Sequence, residues 1–334
     1  MHSPAAAATQ SAAGYELRAC VSPHAVLPAP AAAAPLLCGA FGPTAREAYA
    51  GSLDGGVYGA DLERGTAFRL GGHAKAVSCM RGSSPGGGGE VMGNVRGCVA
   101  TGSWDGTVKL WDVRVPNNGG GGGPAFDVNL GAKVFSLDFV DSKLLACTAG
   151  RKVHTYDVRK VSCKSSAPEA PGTFDLVEDQ KRESTLKYQT RSCALMPNLE
   201  GFALGSIEGR VAIEYMEETP TALAQNKKKY AFKCHRVDST VYPVNAVAFH
   251  PRFGTFATGG CDGGVVLWDA RLKKRLVALP RLPTSVSALA FSKGEDGGDL
   301  LAVAASYTFE EGEKDHPKDE IYVRRMLEHE VQSR

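Results

Sequence analysis

Thr101-Gly102-Ser103-Trp104-Asp105-Gly106-Thr107-Val108-Lys109-Leu110-Trp111-Asp112 reads as two short strands meeting at a tight turn. Asp105-Gly106 makes the turn, because glycine accepts positive φ and aspartate bonds its own nearby backbone. Val108 and Leu110 alternate with polar neighbours at the period of a half-buried strand, and Trp111-Asp112 closes it. A weaker copy stands at Thr258-Gly259-Gly260-Cys261-Asp262-Gly263-Gly264-Val265-Val266-Leu267-Trp268-Asp269. Two copies of a whole hairpin are an internal repeat, and the repeat predicts an all-β chain of small antiparallel sheets.

Working outward, six repeat units are legible. The first runs from Leu36 to Leu62 around Ala50-Gly51-Ser52-Leu53-Asp54-Gly55-Gly56-Val57-Tyr58. The second runs from His73 to Arg114, interrupted by the insertion Gly86 to Gly89 and followed by the connector Asn117 to Gly123. The third, Lys133 to Arg159, carries Tyr156-Asp157 where Trp-Asp stood before. Residues 160–185, with Pro168 and Pro171, read as a long surface loop. The fourth, Leu186 to Met216, replaces the Asp-Gly turn by Glu208-Gly209. The fifth covers His235 to Ala270, and the sixth Thr284 to Arg324 with a charged, solvated stretch from Glu310 to Glu320. No long helical period is present.

Composition narrows the function classes. A formal charge of +2 argues against a general polyanion binder, which needs a basic face, but leaves room for a local basic pocket. The nine cysteines include no CxxC pair and no zinc spacing, so no metal or cofactor is expected. No apolar run approaches the ~20 residues that span a bilayer. Residues 1–35 are rich in Ala, Pro and Ser, with Arg18 the only basic side chain besides histidines, and read as a low-complexity extension rather than a targeting segment. Residues 36–326 form the repeat domain and 327–334 a tail. No nucleophile elbow, Walker loop or metal cluster is present, so an enzyme is not expected.

A small sheet cannot bury both faces alone; stacking units radially solves this. The Trp-Asp endings, the preceding His73 and the Asp105 turn resemble a WD-repeat β-propeller. In that family a His, a Ser or Thr, an Asp and a Trp of one repeat form a hydrogen-bond network. Here His73, Ser103, Asp105 and Trp111 match it. His235, Asp262 and Trp268 match it again, with Gly260 in place of the hydroxyl, which predicts an incomplete network there.

Five further strings narrow the resemblance: Arg182 to Arg191 leading into Gly205-Ser206-Ile207-Glu208-Gly209-Arg210-Val211; Lys227-Lys228-Lys229-Tyr230-Ala231-Phe232-Lys233-Cys234-His235-Arg236; Tyr242-Pro243-Val244-Asn245-Ala246; Thr255 to Gly260; and Ala305-Ser306-Tyr307-Thr308-Phe309-Glu310-Glu311-Gly312. Together, over about residues 36–326, they resemble the spindle-checkpoint WD-repeat family of the budding-uninhibited-by-benzimidazole type. The messenger-RNA export WD-repeat factor shares the Ile-Glu-Gly-Arg hairpin and the Lys-Cys-His-Arg run; the Lys-Lys-Lys-Tyr-Ala run and Lys273-Lys274-Arg275-Leu276 favour the checkpoint member. That family has seven blades, and Tyr15-Glu16-Leu17-Arg18 resembles the strand that precedes its first and completes its last. One repeat is therefore absent between residues 18 and 36. A closed six-bladed ring, an open ring and an incomplete gene model all fit, the last being preferred.

The resemblance implies a non-catalytic adaptor, a monomeric propeller in hetero-complexes. It would bind a peptide segment of checkpoint kinases and pseudokinases, and phosphorylated Met-Glu-Leu-Thr motifs of the kinetochore scaffold, without direct contact to nucleic acid or membrane. It would reside in the nucleus and at kinetochores in mitosis, with a cytoplasmic pool. Trp104, just before its turn, is a candidate aromatic anchor, against the plainer reading of packing on a loop. Glu208 and Arg210 are candidate peptide contacts, against an exposed turn pair contributing ~0–1 kcal/mol. Lys233 and Arg236 are candidate phosphate contacts, since the Arg fork suits phosphate geometry. Arg191 and Tyr242 are second-tier candidates. His235 is read as the network histidine, and Lys227 to Lys229 as a solvated loop.

Overall fold

The computed structural model describes residues 18–19, 34–44, 46–83, 97–113, 123–163, 174–216, 229–293 and 298–332. The readings made for residues 1–17, 20–33, Gly86 to Gly89, residues 117–122 and Lys227-Lys228 lie outside these. The chain divides into two compact units, residues 25–193 and residues 194–334 together with 1–24. Among the described residues every sheet is antiparallel, and six of them have four strands each.

The unit of residues 25–193 holds three such sheets. The first is built in chain order from Leu36–Phe41, Glu47–Ser52, Gly56–Asp61 and Thr66–Gly72. The second is Val77–Gly82, Cys98–Ser103, Thr107–Asp112 and Phe126–Asn129. The third is Val134–Val140, Lys143–Thr148, Lys152–Cys163 and Phe174–Glu183. Apolar alternation sets which faces meet. Tyr49, Val57, Leu70, Val77, Met80, Val99 and Trp111 make one buried cluster. A second centres on Ala100, Val108, Leu110, Leu137, Phe139 and Leu144. Cys98–Ser103 is buried along its whole length, as expected of a strand with packing on both faces. Gly71 permits that packing, because a Cβ there would lie 2.3 Å from the Trp111 ring.

The third sheet corrects one expectation. Residues 160–185 do not form a simple loop: Lys152–Cys163 and Phe174–Glu183 pair in register out to Cys163↔Phe174. Their polar composition hides a strand pair stabilised by charge. Asp179 accepts from Lys143 at 2.8 Å and from Lys160 at 2.7 Å, and Asp157 takes the Arg159 guanidinium. Pro168 and Pro171 lie outside the described residues.

In the other unit, the fourth sheet comprises Thr190–Leu195, whose chain runs through the division, then Gly201–Ser206, Arg210–Tyr215 and Tyr230–Lys233. The fifth is Val244–Phe249, Phe256–Gly260, Val265–Asp269 and Lys274–Ala278. The sixth is Val286–Phe291, Leu300–Ala305 and Glu320–Arg325, with Arg18–Ala19 as its outer strand. That strand pairs Arg18 with Val323 and Ala19 with Tyr322, so the beginning of the chain completes its last sheet. The fourth and fifth sheets share a cluster containing Ile213, Val244, Val247 and Phe256. The fifth and sixth share one containing Leu267, Val286, Leu301 and Val303. The final residues join it: Met326 and Val331 are buried there, a short helix spans Glu328–Val331, and Arg324 donates to Glu330 at 2.7 Å inside the core.

The repeated Trp-Asp hairpin is tied to the connection that enters its sheet. Trp111 Nε1 donates to Thr101 Oγ1 at 2.8 Å, and Thr101 Oγ1 lies 2.8 Å from His73 Nε2. His73 Nδ1 lies 2.8 Å from Thr107 Oγ1, which donates to Asp105 Oδ1 at 2.7 Å. A neutral histidine protonated on Nδ1 satisfies the whole chain; the tautomer is assigned from these partners. Ser103 therefore does not hold the position read for it. Its hydroxyl donates to the Lys75 carbonyl and accepts the Asp105 N–H, capping the turn. The fifth sheet is likewise complete where an incomplete network was expected. Thr258 bridges Trp268 Nε1 at 2.9 Å and His235 Nε2 at 2.8 Å, and His235 Nδ1 meets Asp262 Oδ1 at 2.8 Å. Gly260 needs no hydroxyl there, and a Cβ at that position would lie 2.5 Å from His235 Nδ1.

Two predictions follow from this burial. Thr101→Val and Thr258→Val keep the shape but leave a buried indole N–H and an imidazole nitrogen unpaired. Each substitution is expected to cost about 1–3 kcal/mol, read as a lower urea midpoint at unchanged m-value. Burial also pushes His73 down to about 4, against the pull of Asp105, and pushes His250 down to about 4. His154 is lowered by burial as well, against the pull of Glu178. The unfolded chain therefore binds more protons than the native one below the ordinary histidine value of about 6.5. This stabilisation is complete above about pH 6.5 and is lost as pH falls to about 4, up to about 3 kcal/mol for His73 alone. Thermal denaturation across pH 7.5 to 4.5 should show Tm falling, with a shallower fall in His73→Gln.

Candidate peptide-binding site

Gly209 is the pivot of the site. At φ 63° it occupies the left-handed region, and a Cβ would lie 2.8 Å from the Cys234 carbonyl and 2.9 Å from that of Tyr242. Its lack of a side chain lets the segment between the fourth and fifth sheets lie against the Glu208 turn. Cys234 N–H donates to the Gly209 carbonyl at 2.9 Å, and Tyr242 N–H donates to that of His235 at 3.0 Å. His235 is buried and anchored to Asp262 and Thr258, so its neighbours Lys233 and Arg236 are held on either side of a fixed point.

Arg236 reaches back to the turn, its guanidinium donating to the Glu208 carbonyl at 3.0 Å, while its Nε is buried without a hydrogen-bond partner. Glu208 and Arg210 flank Gly209 and approach each other at 3.5 Å. Arg210 stands directly opposite Lys233 in the strand register, an arrangement of like charges that an acidic ligand would relieve. Five expected contacts, Glu208, Arg210, Lys233, Arg236 and Tyr242, thus gather around one glycine turn. Trp104 and Arg191 lie in the unit of residues 25–193. Trp104 is 37% exposed before its turn, with the Lys133 ammonium 5.9 Å from its ring centre. Arg191 is exposed on Thr190–Leu195.

Beside the turn opens a cleft of about 320 Å³ between the edge of the fourth sheet and the outer strands of the fifth. Lys233, Arg236, Arg275 and Arg281 supply its charge, and Trp268 and Leu279 its apolar lining. Asp262 is the acid among its walls, and its carboxylate is engaged by His235 at 2.8 Å and approached by Arg281 at 3.5 Å. Burial raises the Asp262 carboxyl, but the His235 contacts, the Gly264 N–H and Arg281 together hold it below the ordinary value. The cleft therefore remains cationic and fits an acidic or phosphorylated segment bearing an apolar side chain. Arg281 was not legible as a site residue, because nothing in the run Pro280-Arg281-Leu282-Pro283 marks it. Among the described residues, no group of three His, Cys, Asp or Glu side chains is placed to hold a metal ion.

Comparison with known proteins identifies the scaffold. The WD domain, G-beta repeat family matches residues 66–112 and 226–269. A mitotic checkpoint protein BUB3.1 of Arabidopsis thaliana is 47% identical over 271 residues, 78% of this chain and 69% of that protein. A mitotic checkpoint protein bub3 of Dictyostelium discoideum is 38% identical over 303 residues, 89% of this chain and 81% of that protein. The chain belongs to the BUB3 family of mitotic checkpoint WD-repeat proteins.

Membership in the BUB3 family accounts for the all-β WD-repeat propeller fold; the described residues form six blade sheets. A poly(A)+ RNA export protein of Schizosaccharomyces pombe is also similar, at 34% identity over 78% of this chain and 66% of that protein. A solved structure, "Structure of U3-55K", aligns with TM-score 0.63 over 87% of this chain and 80% of that one; at 15% identity the likeness is one of fold.

Gly209→Ala is expected to destabilise this chain by about 1–2 kcal/mol from its left-handed backbone alone, with more from the close carbonyls. Chemical denaturation measures the first effect, and slower tryptic protection of the 234–242 connection is not expected; faster cleavage there is.

Proposed function

We propose that this protein is a non-catalytic adaptor of the spindle assembly checkpoint. It holds a peptide segment of a checkpoint kinase or pseudokinase through Glu208 and Arg210, with Tyr242 beside them and Trp104 and Arg191 as further candidate contacts. Through Lys233 and Arg236 it reads phosphorylated Met-Glu-Leu-Thr motifs of a kinetochore scaffold. The observation that carries the reading is the cationic cleft beside the Glu208-Gly209-Arg210 turn, lined by four cations and joined to that turn by the Arg236 hydrogen bond. A phosphate brings about −1.5 to −2 charges and matches the donors of an arginine fork. The working place implied is the nucleus and, in mitosis, the kinetochore, with a cytoplasmic pool. The similarity to the fission-yeast export protein supports a second reading, a nucleoporin-binding messenger-RNA export adaptor.

Arg236→Glu is expected to weaken a synthetic phospho-Met-Glu-Leu-Thr peptide about 10–100-fold and its unphosphorylated form by less than about 3-fold, by fluorescence anisotropy. Equal loss for both peptides would remove the phosphate assignment. Glu208→Lys should weaken a labelled kinase-segment peptide by about 10-fold or more. Affinity purification from mitotic cells that recovers nuclear-pore proteins without kinetochore proteins would favour the export reading.

A further inference from the structure

Resting on the kinase-peptide reading above, we propose that Phe309, in the loop of the sixth sheet between Leu300–Ala305 and Glu320–Arg325, is an aromatic anchor for an apolar side chain of the same peptide. Three observations combine. First, Phe309 has φ 57°, in the left-handed region that a bulky side chain enters only when its surroundings force it. Second, Phe309 is 58% exposed, so burial does not compensate for that backbone. Third, polar contacts of its neighbours hold the loop, and the ring adds to them only its contacts with Tyr307 and, at 6.0 Å between ring centres, with His316. The Glu310 carboxylate accepts from Ser285 and Thr308, each at 2.6 Å. The Tyr307 hydroxyl accepts from Glu311 N–H at 3.1 Å and donates to the Gly312 carbonyl at 2.9 Å. Gly312 N–H closes the turn on the Phe309 carbonyl at 3.2 Å. The Tyr307 ring lies 5.1 Å from Phe309 and backs it from below the surface. A loop built this rigidly around a strained, uncovered aromatic has the form of a preorganised contact, since strain retained at a surface marks function more than packing.

Continuity assigns the occupant. In the fourth, fifth and sixth sheets the Glu208 turn, the Asp262 turn and the Phe309 loop each join the second and third strands, and all three belong to one unit. Polar contacts tie them in series. Arg236 bonds the Glu208 carbonyl, its neighbour His235 bonds Asp262, and Cys261 Sγ lies 3.4 Å from Thr308 Oγ1. A peptide seated on Glu208 and Arg210 that continues along this rim meets Phe309. The plainer alternative, a residue needed to shape the loop, predicts that removing the ring lowers stability.

The two are separated by Phe309→Asn, because asparagine tolerates positive φ, and by the conservative Phe309→Tyr. The probe is the labelled kinase-segment peptide, read by anisotropy, with Tm measured on the same samples of full chain. Phe309→Asn is expected to bind about 10-fold or more weakly, with Tm unchanged or about 2–4 °C higher, while Phe309→Tyr stays within about 3-fold of the parent. If Phe309→Asn binds like the parent while Glu208→Lys does not, Phe309 is no anchor and the peptide reading stands. A Tm fall in Phe309→Asn that accompanies the binding loss makes the residue structural and overturns the proposal. If the parent chain itself fails to bind the peptide, the reading beneath the proposal fails and takes it down.

Discussion

A threonine hydroxyl at the middle of a buried strand decides how these sheets join. Thr101 and Thr258 each accept an indole N–H from one strand and meet an imidazole from the segment that has just left the preceding sheet. The imidazole in turn engages the Asp-Gly turn, through Thr107 in one sheet and directly in the other. The connection between two sheets is thereby pinned to the second sheet's turn, and apolar faces are set against one another in a single register. Dispersion and burial supply most of the stabilising free energy, but they are tolerant of small slips; a chain of short, buried hydrogen bonds is not.

The proposed site depends on the same device. His235 belongs to the pinned connection, and because it is fixed, Lys233 and Arg236 on either side of it are fixed too. Arg236 then spans from the cleft to the Glu208 carbonyl, so the cationic cleft and the turn share one side chain. Cations held close together, as Arg210 and Lys233 are across their strand pair, cost stability in the unliganded chain. The arrangement suits the proposed acidic ligand, where a neutral or oppositely charged pair would have been the more stable choice.

Several features were hidden by polarity and by distance along the chain. The long strand pair of the third sheet reads as a loop because its outer faces are charged, and only the cross-strand partners of Asp179, Lys143 and Lys160, turn that charge into a reason to pair. The family pattern points to Ser103 as the network hydroxyl, yet the two hairpins share Thr101-Gly102 with Thr258-Gly259 and not the serine, and the shared threonine is the signal in the sequence. Arg275 and Arg281 come to the cleft from a strand and a loop remote from Arg236 in sequence, and Phe309 is marked by a backbone angle that no composition reveals.

Local chemistry by itself determined the repeat, the all-β class and the turn positions, because hairpins, Asp-Gly turns and Trp-Asp endings are written over a dozen consecutive residues; the family came from the resemblance of five longer strings. That resemblance, together with the short basic run at Lys233 to Arg236, singled out Glu208, Arg210, Lys233 and Arg236 as candidates. What only the tertiary structure decided was which hydroxyl is buried between indole and imidazole, and which charges share a cleft. Those are relations between segments far apart in the chain. They are set by which apolar faces pack and which buried polar groups must find partners, and neither is settled until the sheets have come together.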